Sequence, residues 1–185
     1  DLTLAHLIAD IEAIRNYLRL ERWLVVGGSW GSTLGLVYAE KHPESVAGLI
    51  LRAVFLGSKS EVEWAFKEGP KLFCPDLYAA FVEQLPKSER QDALQSYIKR
   101  LVHPSYSVYF PTALVWNAYE RALSQLICRI PNFSLIKKTE KRLPPTPIFE
   151  AHYIAHDFFM KPNQILNEAF RLASIPGVIV QSRYD

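Results

Sequence analysis

The sequence predicts an α/β fold, a doubly wound and mainly parallel sheet that carries an inserted helical region. Three observations predict it. The first 57 residues alternate in the order helix, strand, helix, strand. The two strand segments, Trp23-Leu24-Val25-Val26 and Val46-Ala47-Gly48-Leu49-Ile50-Leu51, are continuous apolar runs of the kind a parallel sheet buries on both faces. Between them stands Gly27-Gly28-Ser29-Trp30-Gly31, a glycine-flanked serine at the junction of a strand and a helix.

Each element follows from its residues. Thr3 suits a helix N-cap, and Leu4, Leu7, Ile8, Ile11, Ile14 and Leu18 recur at spacings of three and four. Asp10, Glu12, Arg15 and Arg19 lie between them, so the segment reads as an amphipathic helix laying one stripe on a sheet. Leu20-Glu21-Arg22 closes it. The run from Trp23, apolar on both faces, belongs in the middle of the sheet. After the serine, Ser32 to Lys41 predicts a second helix, with Leu34, Val37 and Tyr38 on one side and the small Gly35 and Ala39 allowing close packing. His42-Pro43 ends it, because the residue before a proline is pushed out of helical geometry. The strand from Val46 then runs into Arg52-Ala53-Val54-Phe55-Leu56.

From Gly57 to about Leu172 helical periodicity dominates, prolines interrupt, and no buried-strand pattern occurs; helices are predicted near 61–67, 75–84, 88–102, 112–127 and 162–173. A helical insertion after a sheet strand forms a cap over the strand ends, where open α/β sheets bind ligands. Ile175-Pro176-Gly177-Val178-Ile179-Val180-Gln181 returns to the strand pattern. The predicted organisation is therefore core at 1–57, helical cap at 58–172 and return to the core at 173–185. The chain starts inside a helix lead-in and stops just after a strand, so it reads as a segment of something longer.

Composition narrows the function classes. Hydrophobic residues make up 49% and charged residues 22%, ordinary for a globular protein, and 21 basic against 19 acidic residues leave a net charge of +2. That excess is too small for a nucleic-acid partner, and the one dense basic run, Lys137-Lys138-Thr139-Glu140-Lys141-Arg142, is broken by Glu140 and reads as a solvated loop. No apolar stretch reaches the roughly 20 residues that span a bilayer, so no membrane association is expected. Cys74 and Cys128 form neither metal spacing nor a disulfide framework; they read as free thiols in a reducing compartment, hence a cytoplasmic location. His152 and His156 stand at i, i+4, but no glutamate follows the first histidine as a metalloprotease helix requires, so neither metal nor cofactor is expected.

The glycine-flanked serine carries the chemistry. A turn too tight for side chains between a buried strand and a helix would hold the Ser29 hydroxyl on a sharp elbow, with the Trp30 N–H aimed at a developing oxyanion. The bare pattern also fits a glycine-rich turn with an idle serine. The wider sequence is more specific. Trp23, Gly27-Gly28-Ser29-Trp30-Gly31-Ser32-Thr33-Leu34, Tyr38-Ala39, His42-Pro43 and Leu51-Arg52-Ala53-Val54-Phe55 closely resemble the proline iminopeptidases (prolyl aminopeptidases) of the α/β-hydrolase superfamily. Trp116-Asn117-Ala118-Tyr119-Glu120 and Phe149-Glu150-Ala151-His152-Tyr153 look like that family's W-x-x-W-E and I-E-x-H-Y elements. The run from Ile175 to Gln181-Ser182-Arg183-Tyr184-Asp185 resembles its I-P-x-x-I-V-x-G-R-Y-D hallmark.

The resemblance implies a partial α/β-hydrolase fold and a serine peptidase that removes N-terminal proline from short peptides through an acyl-enzyme. Ser29 matches the nucleophile and Asp185 the triad acid. The superfamily orders its triad as serine, acid, histidine, which places the base downstream of Asp185; His6, His42, His103, His152 and His156 are poor substitutes. The 185 residues alone are accordingly expected to show little or no peptidase activity. Glu120 and Glu150 match positions that bind the substrate amine; position alone reads them as surface glutamates, and their motif contexts turn the reading to substrate binding. Arg52 and Phe55 match substrate-site positions. Phe55 either walls the pyrrolidine ring or belongs to the core, and Arg52 either holds the acidic residues or pairs with a surface carboxylate.

The sequence departs from the family pattern at four places. Trp64 is followed by Ala65 and Phe66 instead of two aromatics, a shortened wall that admits residues larger than proline. Ala53 and Ser182 replace usual glycines, and Tyr119 replaces the second tryptophan. The alternatives are an esterase or amidase of other acyl specificity on the same fold, and a non-catalytic remnant. Oligomeric state is not legible.

Overall fold

A computed structural model describes residues 2–183. The chain divides into two compact units: one runs up to Glu61 and resumes at Asp157, and the other is Val62–His156.

The first unit is of the α/β class. Helix α1 (Leu4–Tyr17) starts on a capping box, in which the Thr3 side chain accepts from the His6 N–H and the His6 ring bonds back to the Thr3 backbone. Strand β1 (Trp23–Ser29) leads directly into α2 (Trp30–Lys41), and β2 (Val46–Val54) follows. The short β3 (Gly177–Val180) completes a parallel sheet in the order β1-β2-β3, with Val25 opposite Leu49 and Ile50 opposite Val178. Among the described residues the central strand is thus β2. The Trp23 strand, expected in the middle of the sheet, stands at the edge of the described strands, and its Leu24 and Val26 side chains are exposed.

Leu4 and Ile8 of α1, Leu36, Val37 and Tyr38 of α2, and Val46, Leu49 and Leu51 of β2 form the core. Ile14 and Leu18, at the far end of the α1 stripe, are exposed. A polar chain ties the layers together. Trp23 Nε1 donates to Tyr38 Oη (3.1 Å), Tyr38 Oη donates to Glu12 Oε2 (2.8 Å), and Arg15 holds the same carboxylate at 2.5 Å. Hydrogen bonding from Arg15 leads the effects that hold the Glu12 carboxyl down at about 2.

The segment after Asp157 packs on this unit. Helix α10 (Gln164–Glu168) supplies Ile165 to the core, and it and the following 3-10 turn (Ala169–Leu172) lie against α2. Lys59 Nζ and Asp157 Oδ1 meet at 3.2 Å, pairing the residues that flank the excursion into the second unit.

The second unit is helical. Helix α3 (Lys59–Glu63) leads into it through a π-helical turn (Trp64–Glu68), and α4 (Gly69–Phe73), α5 (Pro75–Glu83), α6 (Ala93–Leu101), α7 (Tyr106–Leu123), α8 (Phe133–Thr139) and α9 (Thr146–Ala155) follow. Phe81 of α5 is stacked between Tyr97 of α6 and Tyr119 of α7, with ring centroids 4.0 Å and 3.7 Å away, and Trp116 closes the cluster from the edge. Helix α7 runs through Pro111, so it starts six residues earlier than the sequence suggests, and Thr112 Oγ1 donates to the Val108 carbonyl (2.7 Å) beside the proline. Prolines hid α8 and α9 from the periodicity, although Pro147 occupies the first turn of α9, where a helix tolerates it.

The two cysteines correct an expectation. Cys74 and Cys128 are not free thiols but form a disulfide, with Cα atoms 6.0 Å apart. Cys74 sits between α4 and α5 and Cys128 in the loop after α7, so helix packing brings together residues that sequence spacing keeps 54 positions apart. The inference from free thiols to a reducing compartment loses its premise. No helix among the described residues is long and apolar enough to cross a membrane.

Candidate active site

Ser29 is the last residue of β1 and the N-cap of α2. It is exposed, with φ 52° and ψ −123°. A positive φ on a residue with a Cβ is strained and persists only where the surroundings impose it. Here the surroundings are visible. A Cβ on Gly27 would lie 2.2 Å from the Gly31 carbonyl oxygen, so the chain before the serine and the first turn of α2 meet backbone to backbone. Trp30 opens α2, which places its N–H at the positive end of the helix dipole.

Two buried hydroxyls, which sequence reasoning gave no role, fasten this turn to the end of β2. Ser32 Oγ donates to the Ser29 carbonyl (2.6 Å) and accepts from the Phe55 N–H (2.9 Å). Thr33 Oγ1 donates to the Phe55 carbonyl (2.6 Å). Both side chains are fully buried, so these bonds are shielded from competing water. The elbow and the Phe55 backbone therefore move as one piece.

Phe55 is half-buried, and its ring stands edge-on to Phe158 at 5.3 Å. Phe158 also packs on Trp30 at 5.5 Å and is itself buried. It is held there by a left-handed turn, Asp157, Phe158 and Phe159 having φ of 48°, 55° and 55°. Nothing in the sequence marks this turn, since no glycine occupies it. The Arg52 guanidinium lies over the elbow: a Cβ on Gly28 would come within 2.8 Å of Arg52 Nη2. Ala53, which stands where a glycine is usual, has φ 46°.

Glu120 and Glu150 belong to the second unit. Glu120 is in the last turn of α7 and Glu150 at the middle of α9, and each is half-buried. The fully buried Trp116 donates its indole N–H to Glu150 Oε2 (2.8 Å), while Phe66, from the π-helical turn, lies against the indole ring at 4.7 Å. Tyr119 donates to the Phe66 carbonyl (3.0 Å), fixing that turn. Burial first, and then the Glu120 carboxylate, push the Glu150 carboxyl up to about 8, against the lowering effect of Trp116. Sequence reasoning found both glutamates but not the Trp116 bond. A groove of about 720 Å³ elsewhere in this unit is bordered by Leu114, Arg121, Arg142 and Pro144; neither glutamate lines it.

The first unit thus brings together Ser29, Trp30, Arg52 and Phe55, and the second brings together Glu120 and Glu150. Asp185, expected as the triad acid, lies outside the described residues.

Comparison with known proteins bears on this arrangement. Residues 1–73 match a family model described as alpha/beta hydrolase fold. Over 97% of its length the chain is 37% identical to a protein of Leptolyngbya boryana named "Probable proline iminopeptidase", covering 56% of that protein. It is also 37% identical to a proline iminopeptidase of Xylella fastidiosa (strain 9a5c), again over 97% of the chain and 57% of the relative. With the proline iminopeptidase of Arabidopsis thaliana the identity is 33%, over 97% of the chain and 47% of the relative. The chain spans about half the length of the curated relatives it matches.

Proposed function

We propose that the chain belongs to the proline iminopeptidase branch of the α/β-hydrolase superfamily and that it serves a serine aminopeptidase that releases N-terminal proline from short peptides. The observation that carries the reading is the backbone of Ser29, exposed and at positive φ between a parallel strand and a helix, which is how a nucleophile elbow presents its hydroxyl.

In this reading Ser29 Oγ attacks the carbonyl carbon of the N-terminal prolyl residue. A histidine oriented by Asp185 takes the hydroxyl proton, and the Trp30 N–H donates to the oxyanion as the carbonyl becomes tetrahedral. Collapse expels the amine of the next residue, which receives the proton, and water then hydrolyses the prolyl ester in the reverse sequence. Glu120 and Glu150 read the charged secondary amine, since a carboxylate pair in a desolvated site favours a cation over a neutral group. Phe55 offers an apolar wall for the ring, with Phe158 packed behind it, and Arg52 steadies the elbow from above Gly28.

The test is made in the natural polypeptide that carries this sequence. Ser29→Ala is expected to lower kcat for a proline arylamide by about 10⁴-fold or more. Glu120→Gln and Glu150→Gln should each lower kcat/KM for the arylamide by about 10- to 100-fold while changing cleavage of a neutral acyl ester little, given that a hydrogen bond to a charged group contributes about 1.5–3 kcal/mol. Equal losses on both substrates would favour an esterase or amidase of other specificity.

A further inference from the structure

The Phe158 ring packs on two side chains of the Ser29 site at once. Its centroid lies 5.5 Å from that of Trp30 and 5.3 Å from that of Phe55, and the residue is only 6% exposed. The backbones of those two residues are fixed without it. Trp30 is the first residue of α2, and Phe55 is held at its N–H by Ser32 and at its carbonyl by Thr33. What the backbone leaves open is the direction of each ring. Packing on Phe158 settles it, at an interplanar angle of 76° for Phe55 and 33° for Trp30.

This large side chain is held in place against the preference of its own backbone. Phe158 has φ 55° and ψ 17°, and it stands between Asp157 and Phe159 with φ of 48° and 55°, a region that is costly for any residue with a Cβ. Lys59 Nζ pairs with the Asp157 carboxylate at 3.2 Å where the turn begins. Gly57, itself at φ 72°, leaves room for the ring: a Cβ there would lie 3.4 Å from Phe158 Cγ and 2.5 Å from Met160 Cε. Glycine at position 158 would suit the turn better, but it would remove the ring that Trp30 and Phe55 share.

We propose that Phe158 is a positioning residue for the acyl subsite: by backing Phe55 it fixes the apolar wall on that side and limits the ring accepted there to one of proline's size. It acts through Phe55 and does not itself touch the substrate. This rests on the proline-releasing reading proposed above and adds the residue that sets its size limit. An apolar pocket separates ligands that differ by one methylene by about 10- to 200-fold, and that margin holds only while the wall cannot recede. A shorter side chain at position 158 opens space into which the Phe55 ring can turn, although the Phe55 backbone stays fastened to Ser32 and Thr33.

The experiment compares kcat/KM of the natural polypeptide that carries this sequence for two arylamides, prolyl and pipecolyl, the second having a ring one methylene larger. In Phe158→Leu the pipecolyl-to-prolyl ratio is expected to rise about tenfold or more. In Phe158→Gly, which removes the whole ring while suiting φ 55°, it should rise at least as far. The glycine variant also supplies the measurement if leucine strains the turn too far to fold. A loss of stability lowers both rates together and leaves their ratio where it was, so the ratio separates positioning from packing alone. An unchanged ratio in folded variants, with the prolyl arylamide still cleaved in a Ser29-dependent manner, would overturn the positioning role and leave the proline-releasing reading intact. A parent chain that cleaves neither arylamide would overturn that reading, and the size limit with it.

Discussion

Glu40 sits in the last turn of α2, only 4% exposed, and its Oε1 has no hydrogen-bond partner. Burial above all, then repulsion from Glu168, raise its carboxyl from 4.5 to about 7, with Arg171 opposing. The folded-state value lies above the unfolded one. The stabilising contribution of the neutral form is therefore fully present below about pH 4.5 and is lost as the pH rises through about 7. The difference between those two values corresponds to about 3 kcal/mol. Glu40→Gln keeps the shape of the neutral acid at every pH. The variant should match the parent within about 0.5 kcal/mol at pH 4.5 and exceed it by about 3 kcal/mol at pH 8. Urea titrations at a series of pH values, read by native-state amide exchange within α2, measure the unit that carries Glu40. A difference between variant and parent that stays constant across this range would refute the assignment of a buried, protonated carboxyl.

Four other changes have definite expected outcomes. Gly27→Ala should destabilise the first unit by about 3 kcal/mol or more, because its Cβ meets the Gly31 carbonyl at 2.2 Å, whereas Gly31→Ala meets no atom within 4 Å and should leave the thermal midpoint unchanged or slightly raised. Ala53→Gly should raise that midpoint, since φ of 46° strains alanine and suits glycine; a gain of up to about 1 kcal/mol is expected, and a loss in differential scanning calorimetry would contradict it. Reduction of Cys74–Cys128, or replacement of both by serine, should lower stability of the second unit by up to about 4 kcal/mol, the loop-closure value for a separation of 54 residues, and free-thiol counts before and after denaturation give the redox state directly.

Local signals made the first unit legible. The α1 stripe, the Thr3 cap, the two apolar runs and the glycine-flanked serine each act within a few residues, and the α/β class and Ser29 followed from them. Long-range contacts were not legible. The Trp116–Glu150 bond spans 34 residues and the disulfide 54, and neither leaves a periodic trace. Ser32 and Thr33 looked like ordinary helix residues because their partner, the Phe55 backbone, carries no side-chain signature. Phe158 was hidden for a different reason: three consecutive residues with side chains adopt a left-handed turn that composition assigns to glycine. The position of β1 at the edge of the described sheet depends on strand pairing, which an apolar run cannot specify.

The Lys59–Asp157 contact has a topological consequence. The second unit departs and returns at neighbouring points, so residues 62–156 form one closed excursion that threads no strand of the sheet. The entropy of closing such a loop grows only with the logarithm of its length. Such a segment can be lengthened, shortened or replaced as a cassette without disturbing the register that sets the elbow. On the proposed reading the glutamates travel with the cassette and Ser29 stays behind, which lets substrate preference diverge while the residue assigned as nucleophile and its scaffold are inherited unchanged.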